Sequence, residues 1–273
     1  MNREYRNFNL ICLALSVFFG LGIMWVWRGV IKDQKIVRLK DQEVITTKDQ
    51  MTDNNDLSIL PSSSPRIVST TTEQPSSTIP KTFTLAVPFT SQAPEKNWSE
   101  PWQDACEEAA ILMLDAYYKH YGLSPLMARD EILKLVSWEE NKGWGTSIPI
   151  EDIKKIAEEY FFMTQNPDSR TQRVVKIVEN PTVEQIKKFI VSGNPVLAVA
   201  DGKVLPNPNF KNGGPVYHAL IIKGYDEANF ITNDPGTQFG ENFKYKYNDL
   251  LNAIHDWNNG DVKNGKKVIL VIE

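Results

Sequence analysis

Residues 61–80, PSSSPRIVSTTTEQPSSTIP, are dominated by Ser, Thr and Pro and divide the chain. Such a stretch cannot bury enough apolar surface to offset its ordering entropy, so it reads as a disordered, extended tether. Whatever folds must therefore be built from the residues after it, and the sequence places that globular domain at 81–273. Before the tether lie a short N-terminal tail (1–9) and an uncharged apolar run, LICLALSVFFGLGIMWVW, at 10–27. Eighteen apolar or small residues suffice for a short transmembrane helix, and Trp25 and Trp27 at its end suit a membrane interface. No A-x-A-like cleavage site follows, and Cys12 stands near the start of the run rather than at its end, so the segment reads as an uncleaved signal anchor. Residues 28–80 then form a juxtamembrane segment and linker.

Orientation draws two opposite arguments. Arg3 and Arg6 precede the run, whereas Arg28, Lys32, Lys35, Arg38 and Lys40 follow it, and the positive-inside rule alone would place the remainder in the cytoplasm. The stalk composition favours the other side, with the domain outside the cytoplasmic membrane. With 30 Lys and Arg against 34 Asp and Glu, a net charge of −4, there is no basic surface to recruit nucleic acid.

Within the domain, helices come first and strands later, the pattern of an α+β fold with helices packed on an antiparallel sheet. FTLAVPF (Phe83 to Phe89) reads as a strand. A helix is expected from Cys106, with Ala109, Leu112, Met113, Ala116 and Tyr117 on one apolar face. A second runs from Leu126 to Val136, entered through Ser124 and Pro125. A third runs from Ile150 to Phe161, with Ser147 as its cap. Arg173 to Glu179 is a strand. Thr182 and Gln185 form a capping box that opens a helix to Ser192, stopped by Gly193. Pro195 to Ala200 is an all-apolar strand buried on both faces. After an irregular loop at 201–215 come Val216 to Tyr225 and Asn229 to Asn233, joined by a turn at Asp226-Glu227-Ala228. Lys246 to Trp257 is expected as a last helix and Lys267 to Ile272 as the closing strand.

Cys106 lies at the helix start, where unpaired backbone N–H groups and the positive dipole end favour a thiolate. The competing reading is a small buried apolar residue. Of the three histidines, His120 falls fourteen residues further along the same helix, about 21 Å away at ~1.5 Å per residue, and cannot serve the cysteine. His255, at the end of a charged helix, reads as a surface or cap residue. His218 opens a central strand directly after the long loop, where catalytic groups tend to sit; a satisfied core histidine is the alternative. Asn233-Asp234-Pro235-Gly236 ends the neighbouring strand, and is also a turn signature. A helix-start cysteine, a strand histidine and a carboxyl or amide on the next strand are the parts of a thiol protease: nucleophile, base and orienter.

The segments VPFTSQAP, ACEEAAILM, GPVYHALIIKGYD and NDPG resemble the bacteriocin-processing peptidases and their stand-alone bacterial relatives. The resemblance spans Thr82 to Glu273 and implies a papain-like cysteine peptidase with Cys106 as nucleophile, His218 as base and Asp234 as orienting acid. It implies peptide or protein substrates and no cofactor or metal. One departure is Glu107-Glu108 where many relatives carry Gly after the nucleophile; two carboxylates there oppose a thiolate. Two glutamines are candidates for the oxyanion donor: Gln92, which matches the family's glutamine, and Gln103, which is nearer in sequence.

The orienter depends on hairpin register. If three residues make the turn, Tyr225 opposes Asn229, Asp234 opposes Leu220, and Asp234 shares the face of His218. A turn of two or four residues would put Asn233 there instead, and a bulge or the strand end would upset the count. Two other functions fit the same residues. One is an amidase or transpeptidase on cell-wall peptides; the other is a non-catalytic envelope-anchored binding module with Cys106 merely buried. Trp98, Trp102, Trp138 and Trp144 would line a groove or pack under loops.

Overall fold

Two strands, Val196–Asp201 and Tyr217–Tyr225, have so many apolar residues in succession that both faces must be covered, and the chain is arranged to cover them. A computed structural model describes residues 79–162 and 173–273. The expected anchor at 10–27 and all but the last two residues of the 28–80 segment lie outside the described residues. Among the described residues no helix is long and apolar enough to cross a membrane.

The strands are β1 (Phe83–Thr84), β2 (Val175–Glu179), β3 (Val196–Asp201), β4 (Tyr217–Tyr225), β5 (Asn229–Asn233), β6 (Phe243–Lys246) and β7 (Val268–Ile272). They form one antiparallel sheet in the order β2-β7-β3-β4-β5-β6. The helices are α1 (Cys106–Lys119), α2 (Pro125–Lys142), α3 (Ile150–Phe162), α4 (Val183–Val191) and α5 (Tyr247–Ala253). Alternation along the strands sorts the core. Leu197, Val199, Tyr217, Ala219, Ile221 and Leu270 pack with residues of α1, α2 and α3. Val196, Ala198, Ala200, Leu220 and Ile222 pack with Ile186 and Ile190 of α4 and Leu250 and Ala253 of α5. The expected α+β class, helices on an antiparallel sheet, is what forms.

Local signals held at most helix ends. Ser124 caps α2 by accepting from the Met127 amide, and the Thr182–Gln185 capping box opens α4. The α1 helix ends at His120, which takes a left-handed φ of 58°. The α2 helix continues past the expected Val136 to Lys142, because Glu139 is still buried and only Gly143, at φ 72°, stops it. Ser147 does not cap α3; the Pro149 carbonyl accepts from the Asp152 and Ile153 amides.

Three expectations fail for identifiable reasons. FTLAVPF forms only the two-residue β1, since β1 occupies the β4 edge that β3 leaves free after Ile222, and only the β4 end remains to pair with. Beyond it the Leu85 amide bonds to the Lys223 carbonyl, and Asn233 Nδ2 takes the Val87 and Pro88 carbonyls. The expected Lys246–Trp257 helix is shorter. Phe243-Lys244-Tyr245-Lys246 alternates with period two, with Tyr245 buried, and pairs as β6. After Ala253 the chain is drawn out along β3, where Ile254 bridges Ala200 and the His255 amide bonds to the Val199 carbonyl. His255 is therefore not a helix-end cap but a half-buried residue beside the sheet.

The hairpin is the third. Tyr225 pairs with Phe230, not Asn229, and the Asp226 amide bonds to the Asn229 carbonyl, so only Glu227 and Ala228 make the turn. Asp226 holds that turn by accepting from the Ala228 and Asn229 amides. A bulge between Ile222 and Gly224 then shifts the register, and Ile222 pairs with Thr232 and Ile221 with Asn233. The bulge cancels the error in the turn. Past it, the register carries Asp234 opposite Leu220, on the His218 side.

Candidate active site

Asp234 follows directly after β5, and the register brings its carboxylate to the His218 imidazole: Oδ1 lies 2.7 Å from Nε2. Both side chains are buried. The remaining carboxylate bonds are also made. Oδ1 accepts from the Gly236 amide at 2.9 Å, and Oδ2 accepts from the Tyr245 hydroxyl at 2.5 Å and from Asn207 Nδ2 at 3.1 Å. Burial alone would raise the Asp234 pKa, but His218, the Tyr245 hydroxyl and the Gly236 amide outweigh it and hold the group below its usual range. Asn233, the alternative orienter, points elsewhere, to the Val87 and Pro88 carbonyls. Two glycines permit this packing. A Cβ on Gly240 would meet the Asp234 carbonyl oxygen at 1.7 Å, and one on Gly236 would meet His218 Cε1 at 2.8 Å.

The imidazole ring is covered by Phe210, edge to face at 5.3 Å between centroids. Its Nδ1 is buried and has no hydrogen-bond partner among the described residues. Cys106 is buried at the start of α1 and belongs to the same core as Ala219, the residue after His218. The Ala219 amide favours the thiolate. The structure does not join Cys106 to His218 by a hydrogen bond. The thiol donates instead to Glu107 Oε2 at 2.8 Å. Burial first, then the Glu107 and Glu108 carboxylates, push the Cys106 pKa well up. The opposition expected from Glu107-Glu108 is thus present, and both residues are buried rather than solvated.

The cap of α1 is Ala105, which offers no side chain to the first-turn amides. The Cys106 N–H therefore stands among uncapped donors at the helix start. Gln92 is buried, and its Nε2 donates to the Trp102 and Gln103 carbonyls at 3.0 and 2.8 Å, in the turn just before Cys106. Gln103 is exposed, and its amide bonds to the Glu100 carboxylate. Of the two glutamines, only Gln92 is buried against that turn. The loop after Asp234 fastens it from the other side, with the Gln92 amide bonding to the Pro235 carbonyl and Gln238 Nε2 reaching Ser91 and Ala93.

A family model for the peptidase C39-like family matches residues 84–260. The chain belongs to that family. A crystal structure described as a C39-like peptidase from Bacillus anthracis is similar with a TM-score of 0.45 and 14% identity, covering 71% of this chain and 98% of that one. No curated protein matches. In this C39-like chain, sequence reasoning missed Tyr245 and Asn207 as partners of Asp234, and Glu139 as the third carboxyl near Glu107 and Glu108. Tyr245 was legible in the alternation of Phe243 to Lys246; Asn207, in an irregular loop, gave no signal. Of the four tryptophans, Trp138 and Trp144 pack edge to face at 5.2 Å beside the core under α1 to α3, and Trp102 packs on the cluster of Ala105, Ala109 and Leu112.

Proposed function

We propose that this chain is a thiol peptidase that hydrolyses peptide bonds through Cys106, His218 and Asp234. The observation that carries the reading is the buried His218–Asp234 contact, which leaves Nδ1 as the one ring nitrogen open to a thiol. Asp234 fixes the tautomer and orientation and favours the imidazolium that forms when the ring takes the thiol proton. The Cys106 thiolate adds to the scissile carbonyl carbon. The tetrahedral oxyanion is held by the Cys106 N–H and by Gln92, one of whose N–H groups exchanges a backbone carbonyl for the oxyanion. Collapse breaks the C–N bond, and His218 returns its proton to the leaving amine, giving a thioester. Water, deprotonated by His218, releases the acid.

Cys106→Ala and His218→Ala should each abolish turnover of a general peptide substrate, and Gln92→Ala should lower it on the order of 10²–10³ while Gln103→Ala changes little. Retained hydrolysis in Cys106→Ala would overturn the assignment. We further place the peptidase domain outside the cytoplasmic membrane, held by residues 10–27 and spaced by 28–80. Protease added to intact spheroplasts should release it by cutting within 61–80; full protection would reverse that orientation.

A further inference from the structure

Glu107 is unusual for a surface-type residue. It is 2% exposed, its Oε2 accepts the Cys106 S–H, and its Oε1 has no partner among the described residues. Nothing in the proposed hydrolysis uses it. We propose that Glu107 is a positioning residue for the nucleophile: its carboxylate holds the thiol in a protonated resting arrangement, and protonation of Glu107 frees the sulfur to pass its proton to His218 Nδ1. The inference rests on the thiol-peptidase reading for the role of His218, but not for the Cys106–Glu107 contact.

The chemistry follows from what each form of the carboxyl can do. Ionised, it is an acceptor only, so it must take the S–H, and its charge opposes a second negative charge on sulfur. Neutral, it can donate O–H to the sulfur and stabilises the thiolate. One proton gained by Glu107 thus turns a thiol–carboxylate pair into a thiolate that is hydrogen-bonded to a carboxylic acid, the thiol proton having moved to Nδ1.

The groups facing Glu107 set where this happens. Cys106 and Glu108 come from α1, Glu139 from α2, and Tyr217 and His218 from β4. Asp152 of α3 faces Glu139, and Asp256 faces Tyr217. Burial raises the Glu107 pKa most, the Cys106 thiol, the nearby Glu107 and Ile148 amides and the His218 charge lower it, and the balance is about 7. The group therefore titrates close to neutrality.

Alkylation of the full-length chain by iodoacetamide, followed from pH 5 to 9, tests the proposal without a substrate. The wild-type rate at Cys106 should fall as pH rises through about 7, then recover only when the thiol itself ionises. Glu107→Gln is nearly isosteric, carries no charge and can donate to sulfur. It should remove the fall and react on the order of tenfold faster at pH 8, one pKa unit being a factor of ten. Superimposable profiles of wild type and Glu107→Gln would overturn the proposal. If the variant does not fold, the wild-type profile decides alone, since a rate rising monotonically with pH excludes the release. Loss of turnover in His218→Ala reports separately on the peptidase reading.

Discussion

At the scale of single residues, Asp234 carries more of the site than any other side chain, because each of its oxygens is committed. Removing it leaves the His218 ring, the Tyr245 hydroxyl and the Asn207 amide without their shared acceptor. Asp234→Ala should therefore lower kcat on the order of 10⁴, as loss of the orienter does in other triads, and Asn233→Ala should cost far less. Comparable losses from both would remove the distinction. The depressed Asp234 pKa also contributes stability that is present above the ordinary carboxylate value of 3.8 and is lost as pH falls through the lower folded value. Cys106, His218 and Asp234 were legible because each stands at the end of a periodic segment, with a strong motif about it. The Cys106–Glu107 contact was not, since two consecutive acidic residues at a helix start ordinarily face water.

At the scale of elements, register decides which residue reaches the histidine. Counting from a three-residue turn arrives at Asp234, yet the turn has two residues and the count survives only through the bulge at Lys223. Alternation in the sequence gives the faces of a strand, but nothing in GYDEANF announces a bulge. It forms where β1 meets the end of β4, and a Cβ on Gly224 would approach the Phe83 carbonyl oxygen at 2.7 Å. Deleting Lys223 should remove only the extra residue, leaving Ile222 opposite Thr232 and Asp234 on the His218 side. The deletion variant should fold less stably yet keep turnover, and exchanging the residues at 233 and 234 in it should abolish that turnover; loss of turnover on deletion alone, in a folded variant, would overturn this account of the register.

Helix pairing makes a second prediction. Glu108 of α1 and Glu139 of α2 are buried together and bonded, with Glu107 beside them. Burial raises all three, Glu107 to about 7 and Glu139 to about 8. Groups that hold protons more tightly when folded contribute stability below their ordinary value of 4.5, and that stability is lost as pH rises through the folded values. Calorimetry should show Tm falling between pH 5 and 8.5. Glu139→Gln should flatten that fall and raise Tm at pH 8.5; an unchanged slope would mean that the carboxyls are not buried together in solution.

At the scale of the whole domain, His218, the proposed base, is set in a strand held on both edges. β4 is paired along β3 on one edge and β5 on the other, and the loop at 202–216, which carries Phe210 over the imidazole, is the cover. Amide hydrogen exchange should separate the two. The His218 amide should exchange only when the sheet opens as a whole, whereas amides of 202–216 exchange in local openings of much lower free energy. Mild heating or low denaturant should then speed exchange of the 202–216 amides before any strand signal is lost. On the proposed reading, the imidazole that moves the proton keeps the full kinetic protection of the core while the loop that covers it opens and closes.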